Sequence, residues 1–278
     1  MKFLVLQSDF GLVDGAVSAM MGVAYSEEPN LKIESLTHEI TPYNIFEASY
    51  RLYQSCQYWP SDTVFVSVVD PGVGTKRKSV VAKLNNGQYI VTPNNGTLTH
   101  IHKIIGVQEI REISEETNRR KNTEESYTFH GRDIYAYTGA KLASEKITYE
   151  EVGPKLDLSE LTLLEEHSLS FENNIIRGCV DILDVRFGSL WTNIPSSMFK
   201  KLDVKYGDKV EITIYNGNMM AYQNGVTYGH SFADVMIGAP IIYINSVYNM
   251  GIAINQGSFS KAYNVGVGSN WIVEIRKI

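Results

Sequence analysis

Three segments gather residue types that can do chemistry on a small polar molecule. In Val69-Asp70-Pro71-Gly72-Val73-Gly74-Thr75-Lys76-Arg77 a carboxylate precedes a permanently charged guanidinium, and the glycines between them let backbone approach a ligand. The spacing fits neither GxGxxG nor a Walker loop, and a tight turn closed by a surface ion pair is the simplest alternative. Phe129-His130-Gly131-Arg132-Asp133 supplies a histidine between an aromatic and a glycine, either a general acid–base group or a hydrogen-bonded structural residue. Ser8-Asp9-Phe10-Gly11-Leu12-Val13-Asp14-Gly15 carries two carboxylates on a strand-to-helix turn. A carboxylate there can accept both hydroxyls of a ribose, and Asp14 can instead cap the helix that follows.

Two further segments are open to either reading. Thr92-Pro93-Asn94-Asn95-Gly96 reads first as a turn. Leu183-Asp184-Val185-Arg186-Phe187-Gly188-Ser189-Leu190-Trp191-Thr192-Asn193 sets an acid and aromatics at a strand end, where Phe187 and Trp191 suit a stacked base or a core equally. Asp9, Asp14, Asp70, His130 and Asp133 are also metal-ligand types, so a metal-dependent phosphoesterase competes, without HExxH or comparable spacing behind it.

The elements that must position these groups alternate. Phe3–Leu6, Ile33–Leu36 and Thr63–Val69 read as strands, and Val17–Tyr25 and Ile45–Tyr58 as helices, which predicts an α/β domain with a largely parallel sheet. Asp9 and Asp70 each follow an apolar strand directly, so both emerge at strand carboxyl ends, the ligand crevice of open α/β sheets. Asn85-Asn86-Gly87 predicts a type I′ hairpin between Ser79 and Thr92, a small antiparallel excursion. Beyond the polar stretch Lys155–Ser170, the runs Ile175–Leu183, Lys209–Tyr215 and Pro240–Ile244 are punctuated by Tyr206-Gly207-Asp208, Asn216-Gly217 and Asn224-Gly225, which predicts a compact all-β domain. The expected boundaries are 1–166 for an N-terminal α/β catalytic domain and 171–278 for a C-terminal β-barrel domain.

Composition bounds the partners. With 44% hydrophobic and 20% charged residues, the chain can bury a core in each domain. A formal charge of −6, with no basic run longer than three-residue clusters such as Lys76-Arg77-Lys78, argues against nucleic acid. The apolar run at the N-terminus is far shorter than the roughly 20 residues that span a bilayer, so neither signal peptide nor membrane anchor is expected. Cys56 and Cys179 match no paired spacing, which points to reduced thiols and a cytoplasmic protein.

Taken in order, the segments resemble the SAM hydroxide adenosyltransferase family, relatives of the enzymes that make 5′-fluoro- and 5′-chloro-adenosine. The resemblance runs through Ser8-Asp9-Phe10-Gly11, Thr41-Pro42-Tyr43, Val69 to Gly74 with Arg77, Pro93-Asn94-Asn95-Gly96, Phe129 to Asp133, Asp184 with Phe187-Gly188, Thr192-Asn193-Ile194 and Phe232-Ala233-Asp234, nearly the whole chain. It implies hydrolysis of S-adenosyl-L-methionine to adenosine and methionine, with no cofactor and no metal, in a homotrimer whose sites lie at subunit interfaces. It implies that Asp70, Arg77 and His130 are the catalytic set. Asp9 then takes the ribose hydroxyls, Tyr43 lies along the substrate, Asp184 meets the methionine amino group, and Phe187 and Phe232 pack around adenine. Asp14, Asn95, Phe129, Ser189, Ser246 and Asn255 complete the implied substrate-binding set, with Asn245-Ser246 at the methionine end. Three positions depart from the relatives: Ser189 replaces a frequent Asn, and Val247 and Ala16 replace an Arg and a Ser of the halogenating enzymes. Those enzymes also carry Tyr and Thr where this chain has Asp70 and Val73, and a carboxylate there repels a halide ion. A non-catalytic module that binds S-adenosylmethionine or adenosine is the alternative of a different class.

Overall fold

The computed structural model describes residues 2–278, and the chain divides into two compact units between Leu164 and Glu165. The first unit is built on one sheet of seven strands: β1 (Phe3–Ser8), β2 (Lys32–Thr37), β3 (Val64–Val68), β4 (Ser79–Leu84), β5 (Tyr89–Pro93), β6 (Val107–Glu112) and β7 (Lys155–Leu156). Their order is β2-β1-β3-β5-β4-β6-β7. The β2-β1-β3-β5 half is parallel, whereas β4 runs antiparallel to β5 and β6 and β7 antiparallel to β6.

Central strands are apolar on both sides because helices cover both faces. On one face Leu4, Leu6, Val66 and Val91 pack with Met20 and Ala24 of helix α1 (Ala16–Glu27) and with Ile134, Tyr135 and Ala140. On the other, Val5, Phe65, Ala82 and Ile90 pack with Leu52 and Cys56 of helix α2 (Ile45–Cys56) and with Leu98 and Ile101. Asn44 caps α2 by accepting the N–H of Glu47 at 3.0 Å.

The hairpin at Asn85-Asn86-Gly87 differs from expectation in two ways. Only Gly87 takes positive φ, at +87°. Its N–H donates to the Leu84 carbonyl at 3.0 Å while Leu84 N–H donates to Gln88 at 2.9 Å, a three-residue loop in place of a type I′ turn. Nor is the hairpin an excursion: β5 pairs with β3 and β4 with β6, so it forms the middle of the sheet.

The second unit comprises β8 (Ser170–Glu172), β9 (Ile175–Asp184), β10 (Ser189–Pro195), β11 (Lys209–Asn216), β12 (Met219–Tyr228), β13 (Pro240–Ile244), β14 (Asn249–Ile254) and β15 (Gly268–Lys277). The strands run β10-β14-β13-β12-β11-β15-β9, and β9 pairs back onto β10, closing a barrel to which β8 is added along β9. Val180, Leu190, Ile212, Ile214, Val226, Ile242, Ile252 and Val273 share one core there. Asn224-Gly225, expected as a turn, lies inside β12 opposite Ile212 and Glu211 of β11. Continuous cross-strand pairing overrides the local turn signal. Cys56 and Cys179 are buried and free, and no helix of the described residues is long and apolar enough to cross a membrane.

Candidate active site

Strands β1 and β3 are parallel neighbours in which Ser8 faces Val68. Asp9 and Asp70 therefore leave the sheet side by side, and both line one cavity of about 360 Å³ with Phe10, Pro42, Tyr43, Val68, Val73, Thr128, Phe129, His130 and Gly131. The reversed direction of β4 matters here. Ser79, its first residue, pairs with Pro93 at the carboxyl end of β5, so the segment from Asp70 to Lys78 leaves β3 and enters β4 at the same end of the sheet. That return brings Arg77 back to Asp70.

Arg77 Nη2 donates to Asp70 Oδ2 at 2.5 Å, and their side chains are 15% and 5% exposed, so the pair is shielded from water, unlike a surface ion pair. The Tyr135 hydroxyl joins them: it accepts from Arg77 Nη2 at 3.0 Å, lies 2.9 Å from Ser79 Oγ and donates to Asp70 Oδ2 at 3.3 Å. Burial pushes the Tyr135 phenol well above its usual range, so it stays a neutral donor. His130 opens a π-helical turn, Gly131–Ala136, that runs on into an α-helix, Tyr137–Ala143, and such turns occur often at functional sites. Its imidazole is buried, and burial first, then the Arg119 charge, hold its pKa below the ordinary value. Three polar atoms are left buried without a hydrogen-bond partner in this set: Asp70 Oδ1, Arg77 Nε and His130 Nδ1. Unpaired buried polar atoms are scarce in folded proteins, and two of these belong to residues lining the cavity, Asp70 and His130, while Arg77 stands outside the lining beside Asp70.

The remaining residues of this unit divide. Asp9 Oδ2 accepts the N–H of Tyr43 at 2.9 Å. Tyr43 follows Pro42 in a turn closed by Asn44 N–H to Thr41 O at 2.9 Å, and its φ of +68° is costly for a bulky residue. Asp9 thus holds an exposed tyrosine in a strained conformation over the cavity. Phe129 packs edge-on against Phe10 at 5.8 Å between centroids. Asp14 is not among the lining residues; it accepts the N–H of Ala16, the first residue of α1, at 2.9 Å, from one position before Gly15, which takes the N-cap place without a side-chain cap. Asn95 also stands back, donating to the Val69 carbonyl at 2.9 Å and so bracing the residue before Asp70.

In the barrel unit a cavity of about 760 Å³ is lined by Asp184, Arg186, Phe187, Ser189, Trp191, Phe232, Tyr243, Ser246, Ile254, Asn255, Gln256, Gly257 and Ser258. All six substrate-binding residues expected in this half lie on it. Phe187 is 69% exposed and Phe232 44%, so neither is a core aromatic, whereas Trp191 is buried and donates to the Tyr243 hydroxyl at 3.3 Å. The turn that presents Phe187 depends on Gly188, at φ +67°, where a Cβ would fall 2.0 Å from Ser258 Oγ. Asn245 shapes the next turn by accepting from Val247 and Asn249, leaving Ser246 to face the cavity.

Asp9, Asp14, Asp70, His130 and Asp133 do not converge as metal ligands. Asp133 is fully buried and engaged by both Nε and Nη2 of Arg132 at 2.7 and 2.8 Å. Among the described residues the group close enough to share an ion is His167, Cys179 and Asp181, on neither cavity. There the His167–Asp181 contact is 2.8 Å, and burial together with the Asp181 charge holds the Cys179 thiol protonated.

Fold and site define a two-unit α/β and β-barrel protein with a cavity in each unit, the first lined by a carboxylate and an imidazole, with the Arg77 guanidinium paired to the carboxylate from outside the lining. The chain belongs to the SAM hydroxide adenosyltransferase family, whose N-terminal domain matches residues 4–153 and C-terminal domain residues 178–272. It is 34% identical over 222 residues to the (R)-S-adenosyl-L-methionine hydrolase of Methanocaldococcus jannaschii, covering 78% of this chain and 75% of that one. It is 28% identical over 297 residues to the fluorinase of Nocardia brasiliensis, covering 98% and 96%. An uncharacterized conserved protein of Thermotoga maritima, solved by crystallography, superposes with a TM-score of 0.90 at 35% identity over 99% of this chain and 100% of that one.

Proposed function

We propose that the protein hydrolyses S-adenosyl-L-methionine to adenosine and L-methionine by attack of water at C5′. The observation that carries this reading is the set of unpartnered buried atoms on Asp70, Arg77 and His130, three groups suited to hold and activate one water. A sulfonium leaves as a neutral thioether and needs no protonation, so activating water is the chemical problem. A fixed guanidinium favours hydroxide character on a nearby oxygen, and a carboxylate or imidazole beside it orients that oxygen and takes its proton. Holding the water in line with the C5′–S bond contributes up to about 7–11 kcal/mol in favourable models. Similarity to a protein named for this hydrolysis supports the substrate. The similarity to a fluorinase does not carry over, because Asp70 sets a negative charge where a halide would have to sit.

In this reading the α/β unit is the catalytic domain. Asp9 receives the ribose hydroxyls, Tyr43 and Phe129 flank the substrate, and Asp184, Phe187, Ser189, Phe232, Ser246 and Asn255 take the adenine and methionine ends. Asp14 and Asn95 are assigned supporting places, at the start of α1 and as a brace behind Asp70. The protein works in the cytoplasm as a homotrimer, the α/β cavity of one subunit and the barrel cavity of its neighbour completing one site. Light scattering should then give a mass three times the 31.2 kDa of the chain.

The test is to incubate purified protein with S-adenosylmethionine in oxygen-18 water and follow adenosine by mass. Adenosine labelled at its 5′ oxygen is expected, and Asp70→Asn should release it at a rate lower by roughly 10²–10⁴. Intact substrate alongside calorimetric binding would sink the hydrolase and leave a non-catalytic binding module.

A further inference from the structure

We propose that Arg119 is a positioning residue that fixes His130 as the neutral imidazole carrying its hydrogen on Nδ1, so that His130 donates to the attacking water while Asp70 takes its proton. The chemical half rests on the hydrolase reading above; the tautomer half rests on geometry alone.

Arg119 Nη2 lies 3.2 Å from His130 Nε2. A guanidinium has only donors and does not deprotonate in a protein, so Nε2 must accept and can carry no hydrogen. A neutral ring then holds its hydrogen on Nδ1, the atom that is buried and without a partner in a residue lining the cavity. Protonating the ring a second time would set N–H against N–H.

Arg119 is itself locked. Its Nε and Nη2 meet Glu115 Oε2 at 2.9 and 2.8 Å, Nη1 donates to Thr123 O, and the guanidinium lies 4.8 Å from the Tyr127 ring centroid. Arg119, Glu115, Thr123 and Tyr127 are not among the lining residues of the cavity, so the arginine acts on the site through His130. The charged groups that bear on the imidazole are Arg119 and Arg77, which lower its pKa, and Glu115 and Asp70, which raise it, beneath the larger effect of burial. The Tyr127 ring packs edge-on to the imidazole, 6.2 Å away between centroids.

Proton traffic follows from the tautomer. As a water lone pair forms the O–C5′ bond, the C5′–S pair passes to the sulfonium sulfur, which becomes the neutral thioether of methionine. The water proton goes to Asp70 Oδ1, the unpartnered acceptor, and from the resulting carboxylic acid to solvent. His130 Nδ1–H donates to the same oxygen and steadies the hydroxide character that develops on it.

The experiment combines nitrogen-15 NMR of histidine-labelled full-length protein, which reads the His130 tautomer from two-bond proton–nitrogen couplings, with the pH profile of adenosine release. Wild type should show Nδ1–H, with the acid limb of kcat/KM below 6.5, the ordinary imidazole value. Arg119→Met should populate Nε2–H and lower kcat about tenfold at neutral pH, and the wild-type acid limb should give way to a partial recovery, since protonating that ring restores a hydrogen on Nδ1 and no guanidinium opposes it. Arg119→Lys, still a charged donor, should restore tautomer and limb, which a purely structural role would not require. An Nε2–H tautomer in wild type overturns the proposal, whether or not the variants fold. So does Arg119→Met with an unchanged tautomer and limb. Absence of adenosine from wild type at every pH would instead sink the hydrolase reading, and the spectra would still decide what Arg119 does.

Discussion

The Tyr135 hydroxyl donates to Asp70 Oδ2 across 3.3 Å, joining a π-helical turn to a loop 65 residues earlier in the chain. The same oxygen accepts from Arg77 Nη2, so one phenol sets the mutual orientation of carboxylate and guanidinium from behind the cavity.

Removing that oxygen should be felt as positioning. Tyr135→Phe strips an acceptor from Arg77 and a donor from Asp70, and leaves Ser79 Oγ without its partner. The expected loss is about 1–3 kcal/mol of stability, the cost of stranding buried polar groups. Because Tyr135 is not among the residues lining the cavity, kcat should fall about tenfold, roughly 1.4 kcal/mol, with KM nearly unchanged. Urea unfolding and steady-state kinetics check the two parts separately.

Breaking the ion pair from either side should have unequal consequences. Asp70→Asn keeps the shape and removes a proton acceptor, so turnover should drop by roughly 10²–10⁴ while the fold persists. Arg77→Met strands a carboxylate whose side chain is 5% exposed, and should cost about 3–5 kcal/mol of stability in addition to activity. Thermal melts that rank the two variants the other way would contradict the shielding described here.

Acid should weaken the fold through two histidines. Burial lowers the pKa of His38 and of His130 below 6.5. His38 lies between Ser8 Oγ at 2.8 Å and Ser35 Oγ at 3.1 Å. Below 6.5 the unfolded chain takes up protons that the folded one refuses, so stability falls as pH drops, and the loss levels off below the folded-state pKa values. Melting temperature followed from pH 7 downward should show this decline, and His38→Asn should flatten it.

The barrel cavity should control affinity. Phe187→Ala removes an exposed aromatic suited to stacking, and KM should rise about 5- to 150-fold, the range of 1–3 kcal/mol for a stacked base. Gly188→Ala, which forces a Cβ into Ser258 Oγ at positive φ, should raise KM similarly by displacing the turn. Titration of the variants with S-adenosylmethionine by calorimetry separates binding from turnover.

How much of this is legible in the sequence depends on how local each cause is. Asp9 and Asp70 can be paired from the chain alone, because each follows an apolar run and parallel strands deliver their ends to one place. Tyr135 and Arg119 cannot. The first sits in an apolar helical stretch where a core aromatic looks the same. The second belongs to Asn118-Arg119-Arg120-Lys121, a run that reads as solvated until Glu115, Thr123 and Tyr127 are seen to enclose it. Asn224-Gly225 fails in the opposite sense, as a strong local signal overruled by pairing with β11. Barrel closure through β9 and β10, and the place of the Asn85–Gly87 hairpin at mid-sheet, are long-range outcomes that no window of sequence contains.

The strand reversal at β4 gives the segment from Asp70 to Lys78 a modular character. Both of its anchors, β3 and β4, belong to the rigid sheet and lie at one end of it, so the segment can be exchanged as a cassette without rethreading the fold. A transplanted loop of other composition would change which nucleophile is welcomed at the carbon while Asp9 and the barrel cavity stay in place. Libraries confined to that cassette are therefore the natural starting point for redirecting the enzyme toward new acceptors.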